Sequence, residues 1–202
     1  MQAFKIMLIV SLSLIGFAAT AQQGTSNRSL DIGYFGQFLM QPGIRIGKSI
    51  PLQSRQKFQE LGIRQYDQTR TLFLQPSLGY FQQFRTHRTL IFSADVGYTF
   101  QKKKPKGHAF HSLALGLGYQ LSADLVSYSI SLSDGSITDK NWVNRQALLP
   151  MFSYTHGFPV QQQLSAYYRL VLGQAFEFSD RNTASLFAEL GLRYYFTTKT
   201  RS

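Results

Sequence analysis

The sequence contains no cysteine, so no disulfide bond holds this fold together. Small extracellular domains often depend on such cross-links. Charged residues make up only 15 % of the chain, and mean hydropathy is slightly negative. After residue 21 no apolar run approaches the roughly 20 residues that a membrane-spanning helix needs. These absences argue against a disulfide-stabilised domain and against a helical membrane protein.

Motifs for phosphate, metal or nucleophilic chemistry are missing as well. The chain has no glycine-rich phosphate loop and no zinc-ligand spacing. His108 and His111 are an odd number of residues apart, which does not suit a metal pair, and His87 and His156 have no obvious partner. His111 is adjacent to Ser112, but neighbouring residues of a strand point to opposite faces. The sequence therefore predicts no cofactor, no metal and no catalytic residue, and it argues against an enzyme.

The N-terminus has the organisation of a secretory signal peptide. One cation, Lys5, precedes an apolar stretch over residues 6–17, and Ala19-Thr20-Ala21 supplies the small-x-small pattern of a cleavage site. An apolar stretch of about a dozen residues is too short to span a bilayer as a helix. We therefore expect residues 1–21 to be a signal peptide and residues 22–202 to form one domain.

Apolar residues in the rest of the chain recur at every second position, as in β-strands. Leu90, Phe92, Val96 and Phe100, for example, alternate with small or polar residues. The same alternation appears in seven further segments: 30–38, 44–50, 72–80, 112–121, 148–154, 164–176 and 186–196. Aromatic residues are abundant, with 17 Phe and 11 Tyr. A period of two, rich aromatics and low charge predict an all-β fold, a transmembrane antiparallel up-and-down β-barrel of about eight strands.

Two features fit this pattern less well. Pro76 and Pro150 lie inside predicted strands, where proline removes a ladder donor, and we expect bulges or bends there. Residues 52–70 form a long, polar and basic segment that is predicted to be a connection. Residues 122–144 are predicted to extend the fifth and sixth strands around a turn at Asp134-Gly135. Eight strands place these two long segments at opposite ends of the barrel.

Charged residues also occur on the inward, polar side of the predicted strands. They are three acids and three bases: Asp31, Arg45, Asp95, Arg169, Glu189 and Arg193. Such residues could line a pore or a proton path. The alternative is a plug of ion pairs, which the balanced signs favour because buried charges must be paired. An eight-stranded barrel is only wide enough for side chains to fill it.

The last predicted strand carries a recognisable pattern. Glu189, Gly191, Tyr194 and Phe196 combine a polar residue, a glycine and aromatics two apart, which resembles the C-terminal signal read by the barrel assembly machinery. It departs from that signal because residues 197–202 follow Phe196. Segments 33–36, 41–43 and 74–80 are similar to uncharacterised small outer-membrane barrels of the Bacteroidetes type. This resemblance implies a Gram-negative outer membrane and carries no catalytic residues.

Three classes of function stay open. The first is a structural or interaction role, for example as an accessory subunit of an envelope complex with other envelope proteins as partners. The second is a small, porin-like pore or ligand carrier, and the third is a lipid A-modifying enzyme. The net charge of +11 suits the phosphates of outer-membrane lipid and lipopolysaccharide. Nucleic acid is not expected as a partner of an exported barrel.

Overall fold

A computed structural model of the protein describes residues 28–37, 41–61, 64–83, 86–104, 107–130, 137–177 and 182–196. The predicted signal peptide, the turn at Asp134-Gly135 and the segment after Phe196 lie outside these residues. In the described part no helix is long and apolar enough to cross a membrane.

Eight antiparallel strands form one closed barrel in chain order. Their bounds are β1 Ser29–Gln37, β2 Gly43–Leu61, β3 Arg64–Gln83, β4 His87–Lys104, β5 Gly107–Ile130, β6 Ile137–Gln161, β7 Leu164–Glu177 and β8 Asn182–Tyr195. Each strand pairs with the next, and β1 closes the ring on β8. The predicted all-β, up-and-down arrangement of eight strands is confirmed.

Side chains alternate between the lumen and the outer surface, because successive residues of a strand point to opposite faces. On β4, Asp95 and Thr99 are buried inside, while Phe92, Val96 and Tyr98 are exposed outside. Most large apolar residues with the outward phase are exposed, among them Leu78, Phe92, Val96, Leu115, Leu170 and Leu190. Leu74 also has the outward phase of β3 but is buried.

The prediction of a long connection over residues 52–70 is wrong. This segment is strand: β2 and β3 continue as a paired hairpin from Gln53↔Leu72 to Leu61↔Arg64. The hairpin projects beyond the barrel, since β2 pairs with β3 there and its last partner on β1 is Ser49↔Ser29. We call the end of the barrel with Ser29 and Tyr195 the terminal end, and this hairpin projects from it.

The predicted extension of the fifth and sixth strands is confirmed. β5 and β6 stay paired to Ile130↔Ile137, well past the last β4 partner of β5, Asp124. This second hairpin projects from the opposite end, which we call the far end. Eight strands thus carry one long hairpin at each end, as the strand count requires.

At each of the two prolines inside strands, residue pairs are missing from one ladder, but the register is the same on both sides of the gap. The β2–β3 pairing passes from Gly47↔Ser77 to Ile50↔Leu74 in one register, with no pair in between at Pro76. Pro150 lies in a similar interruption of the β6–β7 pairing. The register shifts of these two pairings lie elsewhere, after Pro51 and Pro159, so the expectation of bulges at Pro76 and Pro150 is wrong, and the alternative of a bend stays a prediction. A proline has no N–H to donate to the ladder, and the register on either side of each proline is the same.

Apolar side chains close the lumen on both sides of its centre. Towards the far end, the rings of Phe35 and Phe187 stack at 5.1 Å and Phe81 packs against both. Towards the terminal end lies a second cluster of Phe110, Tyr167 and Tyr195. On β8, Phe187 belongs to the first cluster and Tyr195 to the second, so residues 188–194 occupy the level between them.

Candidate functional site

The six charged residues singled out from the sequence all lie inside the barrel. They come from β1 (Asp31), β2 (Arg45), β4 (Asp95), β7 (Arg169) and β8 (Glu189 and Arg193), and each is at most 5 % exposed. Their inward phase follows directly from the alternation of each strand. The closed sheet brings them together at the level between the two apolar clusters.

Four of them form one connected group. Arg45 contacts both acids, with Nη1 3.1 Å from Glu189 Oε2 and Nη2 3.3 Å from Asp95 Oδ2. Arg169 Nη2 donates to Asp95 Oδ2 at 2.8 Å, and its Nη1 is 4.0 Å from Glu189 Oε2. Two guanidinium groups thus alternate with two carboxylates around the lumen. We call these four residues the central group.

The remaining two charges form a separate pair across the seam where β1 meets β8. Arg193 Nε donates to Asp31 Oδ1 at 2.7 Å, and Arg193 Nη2 donates to Asp31 Oδ2 at 2.6 Å. Such parallel bonds between a guanidinium and a carboxylate are among the strongest hydrogen bonds in proteins. Gln75 Nε2 also donates to Asp31 Oδ2 at 2.6 Å, and the Arg193 guanidinium lies 4.1 Å from the centre of the Phe110 ring. We call this the seam pair.

Neutral side chains satisfy most of the remaining hydrogen-bonding capacity of the charges. Tyr167 donates its hydroxyl hydrogen to Glu189, Ser153 accepts from Arg169, and Ser77 accepts from Arg45. Among the described buried atoms, only Asp95 Oδ1 and Arg169 Nε within the central group have no partner. With three acids, three bases and these bonds, the charges compensate one another locally, as burial demands.

Glycines make room for these long side chains. A Cβ atom at Gly33 would lie 2.8 Å from Glu189 Oε1 and 2.9 Å from the Tyr167 hydroxyl. A Cβ atom at Gly116 would collide with Asp95 Oδ1. The inward glycines of the sequence thus mark where the interior charges need space.

The sequence placed the six residues inside but did not give their partners. Glu189 lies nearest to Arg45 and within ion-pair distance of Arg169, whereas Arg193 binds Asp31. Gln75 and Tyr167 were missed. Both have the inward phase of their strands, and this was the available signal.

A second polar cluster, which the sequence did not reveal, lies inside the barrel at the far end. His87 Nδ1 bonds to Asp124, and His87 Nε2 lies 2.6 Å from Thr89 Oγ1. Arg145 Nε lies 3.1 Å from Asp124 Oδ2, and its Nη1 is 3.6 Å from Glu177. The expectation that His87 lacks a partner is therefore wrong. An acid, an imidazole and a hydroxyl in this order can activate a nucleophile, but the Thr89 side chain is only 1 % exposed.

The other histidine pair lies on the outer surface. His111 faces His156 across β5 and β6, with the two Nδ1 atoms 2.9 Å apart, so the expectation that His156 has no partner is also wrong. Ser112 points inward and bonds to Thr99 at 2.8 Å. The adjacent His111 and Ser112 lie on opposite faces, as the alternation predicts.

The residues of the predicted assembly signal are divided between the two faces of β8. Glu189 lies in the lumen, whereas Tyr194 and Phe196 are exposed outside with ring centres 5.3 Å apart. A Cβ atom at Gly191 would meet the backbone of β1. Recognition of this pattern by an assembly machinery stays a prediction.

In the part of the chain that the structure describes, no three His, Asp or Glu side chains are grouped so that they could hold a metal ion. The described residues form three polar sites. These are the ion-paired lumen, the cluster of His87, Asp124 and Arg145 at the far end, which we call the mouth cluster, and the surface histidine pair. Comparisons with protein-family models, with curated proteins and with solved structures find no match to this chain.

Proposed function

We propose that this protein is an integral barrel of the bacterial outer membrane with a closed lumen, and that it has a structural or interaction role in the envelope. One observation carries the proposal. The exposed outward side chains are largely apolar, and the buried inward side chains form an ion-paired centre between two apolar clusters.

The outer surface has the length and composition of a bilayer-spanning sheet. The outward residues are apolar over Leu113–Leu121 on β5 and over Leu186–Phe196 on β8. These lengths match the roughly 9–11 residues of a transmembrane strand. Large apolar side chains such as Leu115, which is 70 % exposed, would make a water-soluble barrel aggregate.

Exposed aromatic residues lie towards both ends of this apolar surface. Tyr194 and Phe196 follow Leu190 and Leu192 towards the terminal end of β8, and Tyr80 follows Leu78 towards the far end of β3. Aromatic girdles at the two membrane interfaces are typical of outer-membrane barrels. The two girdles therefore support the proposed membrane position.

The interior argues against the pore and carrier alternatives. The stacked rings of Phe35, Phe81 and Phe187 cover one side of the ion-paired centre, and Phe110 with Tyr195 covers the other. A diffusion channel needs a continuous wet path, and these layers interrupt it. The enzyme alternative lacks support because Thr89, the hydroxyl next to His87, is buried.

The projecting hairpins offer the surfaces for an interaction role, since they extend from opposite ends of the barrel. As an accessory subunit, the barrel would anchor a partner through one of them. Partners at this location are other envelope proteins, lipopolysaccharide phosphates and, during biogenesis, the barrel assembly machinery.

The test combines insertion, conductance and complex formation. We expect the mature chain to insert into phospholipid vesicles, to show heat-dependent gel mobility and to give no steady conductance in planar bilayers. Replacing residues 53–71 by a short turn should abolish a stable envelope complex and preserve the barrel, with a matched shortening of the β5–β6 hairpin as the control. Steady conductance would favour the pore, and a chain that stays in water without detergent would refute the membrane barrel.

A further inference from the structure

A groove on the outer surface at the terminal end contains two histidines and a lysine beside aromatic rings. It is lined by residues of β3, β4, β5 and β6 and has a volume of about 490 Å³. Its polar lining comprises Gln68, Lys102, His111 and His156, and its apolar lining includes Phe100, Phe158 and Pro159. The groove thus combines a lysine and two histidines with the aromatic rings of Phe100 and Phe158.

The two imidazoles are held in a defined geometry. Their ring centres are 4.2 Å apart, and Phe158 packs edge-on against His156 at 4.4 Å. His111 Nδ1 lies 2.9 Å from both His156 Nδ1 and the Tyr154 hydroxyl. One ring nitrogen carries either a proton or a lone pair. It cannot form a full hydrogen bond with both neighbours. A neutral imidazole carries one N–H donor, which can serve an anion when the ring is the tautomer protonated at Nε2.

The groove lies where the apolar surface ends. On β4 the outward residues pass from Val96 and Tyr98 through Phe100 to Lys102, which is exposed. A lysine at such a boundary buries its stem against apolar groups and directs its ammonium group to the headgroup level. On β5 the apolar outward residues begin at Leu113 and continue from the imidazoles towards the far end of the barrel.

We propose that this groove binds the phosphate of an anionic glycerophospholipid, with Lys102, His111 and His156 around the phosphate and the acyl chains along the apolar face of β4–β6. Charge complementarity selects this occupant, because the Lys102 ammonium group and two imidazoles line the same groove, and an ammonium group with N–H donors complements a phosphodiester. The aromatic wall provides the surface for the glycerol and the first methylenes. The site rests on the proposed membrane function, and it adds a ligand class and a position to it.

The experiment uses the full mature chain in a neutral detergent and water-soluble dihexanoyl phosphatidylglycerol as the probe. Binding is measured by titration and by native mass spectrometry, with dihexanoyl phosphatidylcholine and inorganic phosphate in parallel. We expect phosphatidylglycerol to bind at least about fivefold more tightly than phosphatidylcholine, the ratio that one cation near a lipid headgroup provides. Lys102→Gln, or His111→Gln with His156→Gln, should remove this preference. Lys48→Gln, which changes an exposed cation on β2 outside the groove, should keep it.

Each outcome has a distinct meaning. Equal binding of the two lipids, or an unchanged preference in the Lys102 and histidine variants, overturns the lipid site. Tight binding of inorganic phosphate without binding of the lipid also overturns it and indicates a site for free phosphate. Because the probe lipid is soluble, binding is measured whether or not the chain inserts into bilayers. Failure of the proposed membrane function would instead appear as a chain that stays soluble without detergent.

Discussion

The seam pair allows the closed-lumen model to be tested by a double-mutant cycle. Asp31 and Arg193 form two short bonds, and both side chains are at most 5 % exposed. Arg193→Met leaves a buried carboxylate whose remaining side-chain donor is Gln75. Breaking a buried ion pair usually costs about 3–5 kcal/mol, and the bond to Gln75 places this variant near the lower limit. Removing one charge should destabilise the barrel by about 3 kcal/mol.

The reverse change should cost slightly less. Asp31→Asn leaves the guanidinium of Arg193 over the rings of Phe110 and Tyr167, at 4.1 and 5.9 Å. A desolvated cation–π contact offsets about 1–2 kcal/mol of the loss. The double variant buries no unpaired charge, so it should be more stable than either single variant. Since the double variant loses less stability than either single variant, the coupling energy must be at least as large as the larger single effect, about 3 kcal/mol.

The assay is urea unfolding in phospholipid vesicles, followed through the single tryptophan, Trp142. The slope with urea should be unchanged, since each variant exposes the same surface on unfolding. The pair of Asp124 and Arg145 is the matched control, because these side chains are 25 % and 30 % exposed and should couple by at most about 1 kcal/mol. Additive effects below about 1 kcal/mol at the seam pair would mean that water reaches the lumen, and the closed-lumen model would fail.

Three further predictions concern packing, membrane contact and assembly. Gly33→Ala should destabilise the barrel by about 1–3 kcal/mol in the same assay, because its Cβ would displace the buried carboxylate that lies 2.8 Å away; unchanged stability would contradict the packing. Leu115→Arg should cost about 2–4 kcal/mol in vesicles if this side chain lies near the bilayer midplane, and a neutral effect would argue against a lipid contact. Tyr194→Ala with Phe196→Ala should impair assembly, measured as heat-modifiable protein in envelopes, more than deletion of residues 197–202 does; the opposite order would refute the assembly signal.

The sequence was sufficient to predict the barrel part of each strand and the inward position of the six interior charges. A period of two is visible in that part of each strand, so Asp95 on β4 or Arg169 on β7 could be placed inside without knowledge of any neighbour. The pairing of these residues could not be predicted in the same way. Whether Glu189 binds Arg45 or Arg193 depends on the register of closure, which a local pattern does not contain.

The projecting hairpins show where the period of two loses its information. β2 beyond Gln53 is polar at most positions and shows no alternation, and this part of the strand pairs with β3 alone. Hydrogen bonding to one neighbouring strand still holds this segment in extended conformation. The mouth cluster was missed for a related reason: His87 and Asp124 are 37 residues apart, and only the β4–β5 register makes them partners.

The seam between β1 and β8 also determines the order in which the barrel forms. Every other pairing joins consecutive strands and can begin as a local hairpin, whereas Ser29↔Tyr195 must wait for almost the entire chain between them. Closing so long a loop is entropically costly and slow. Until then β1 and β8 are unpaired edges that could add a strand from another molecule. The Asp31–Arg193 contact forms in this last step. It therefore lowers the rate at which the finished barrel opens and does little to speed barrel formation.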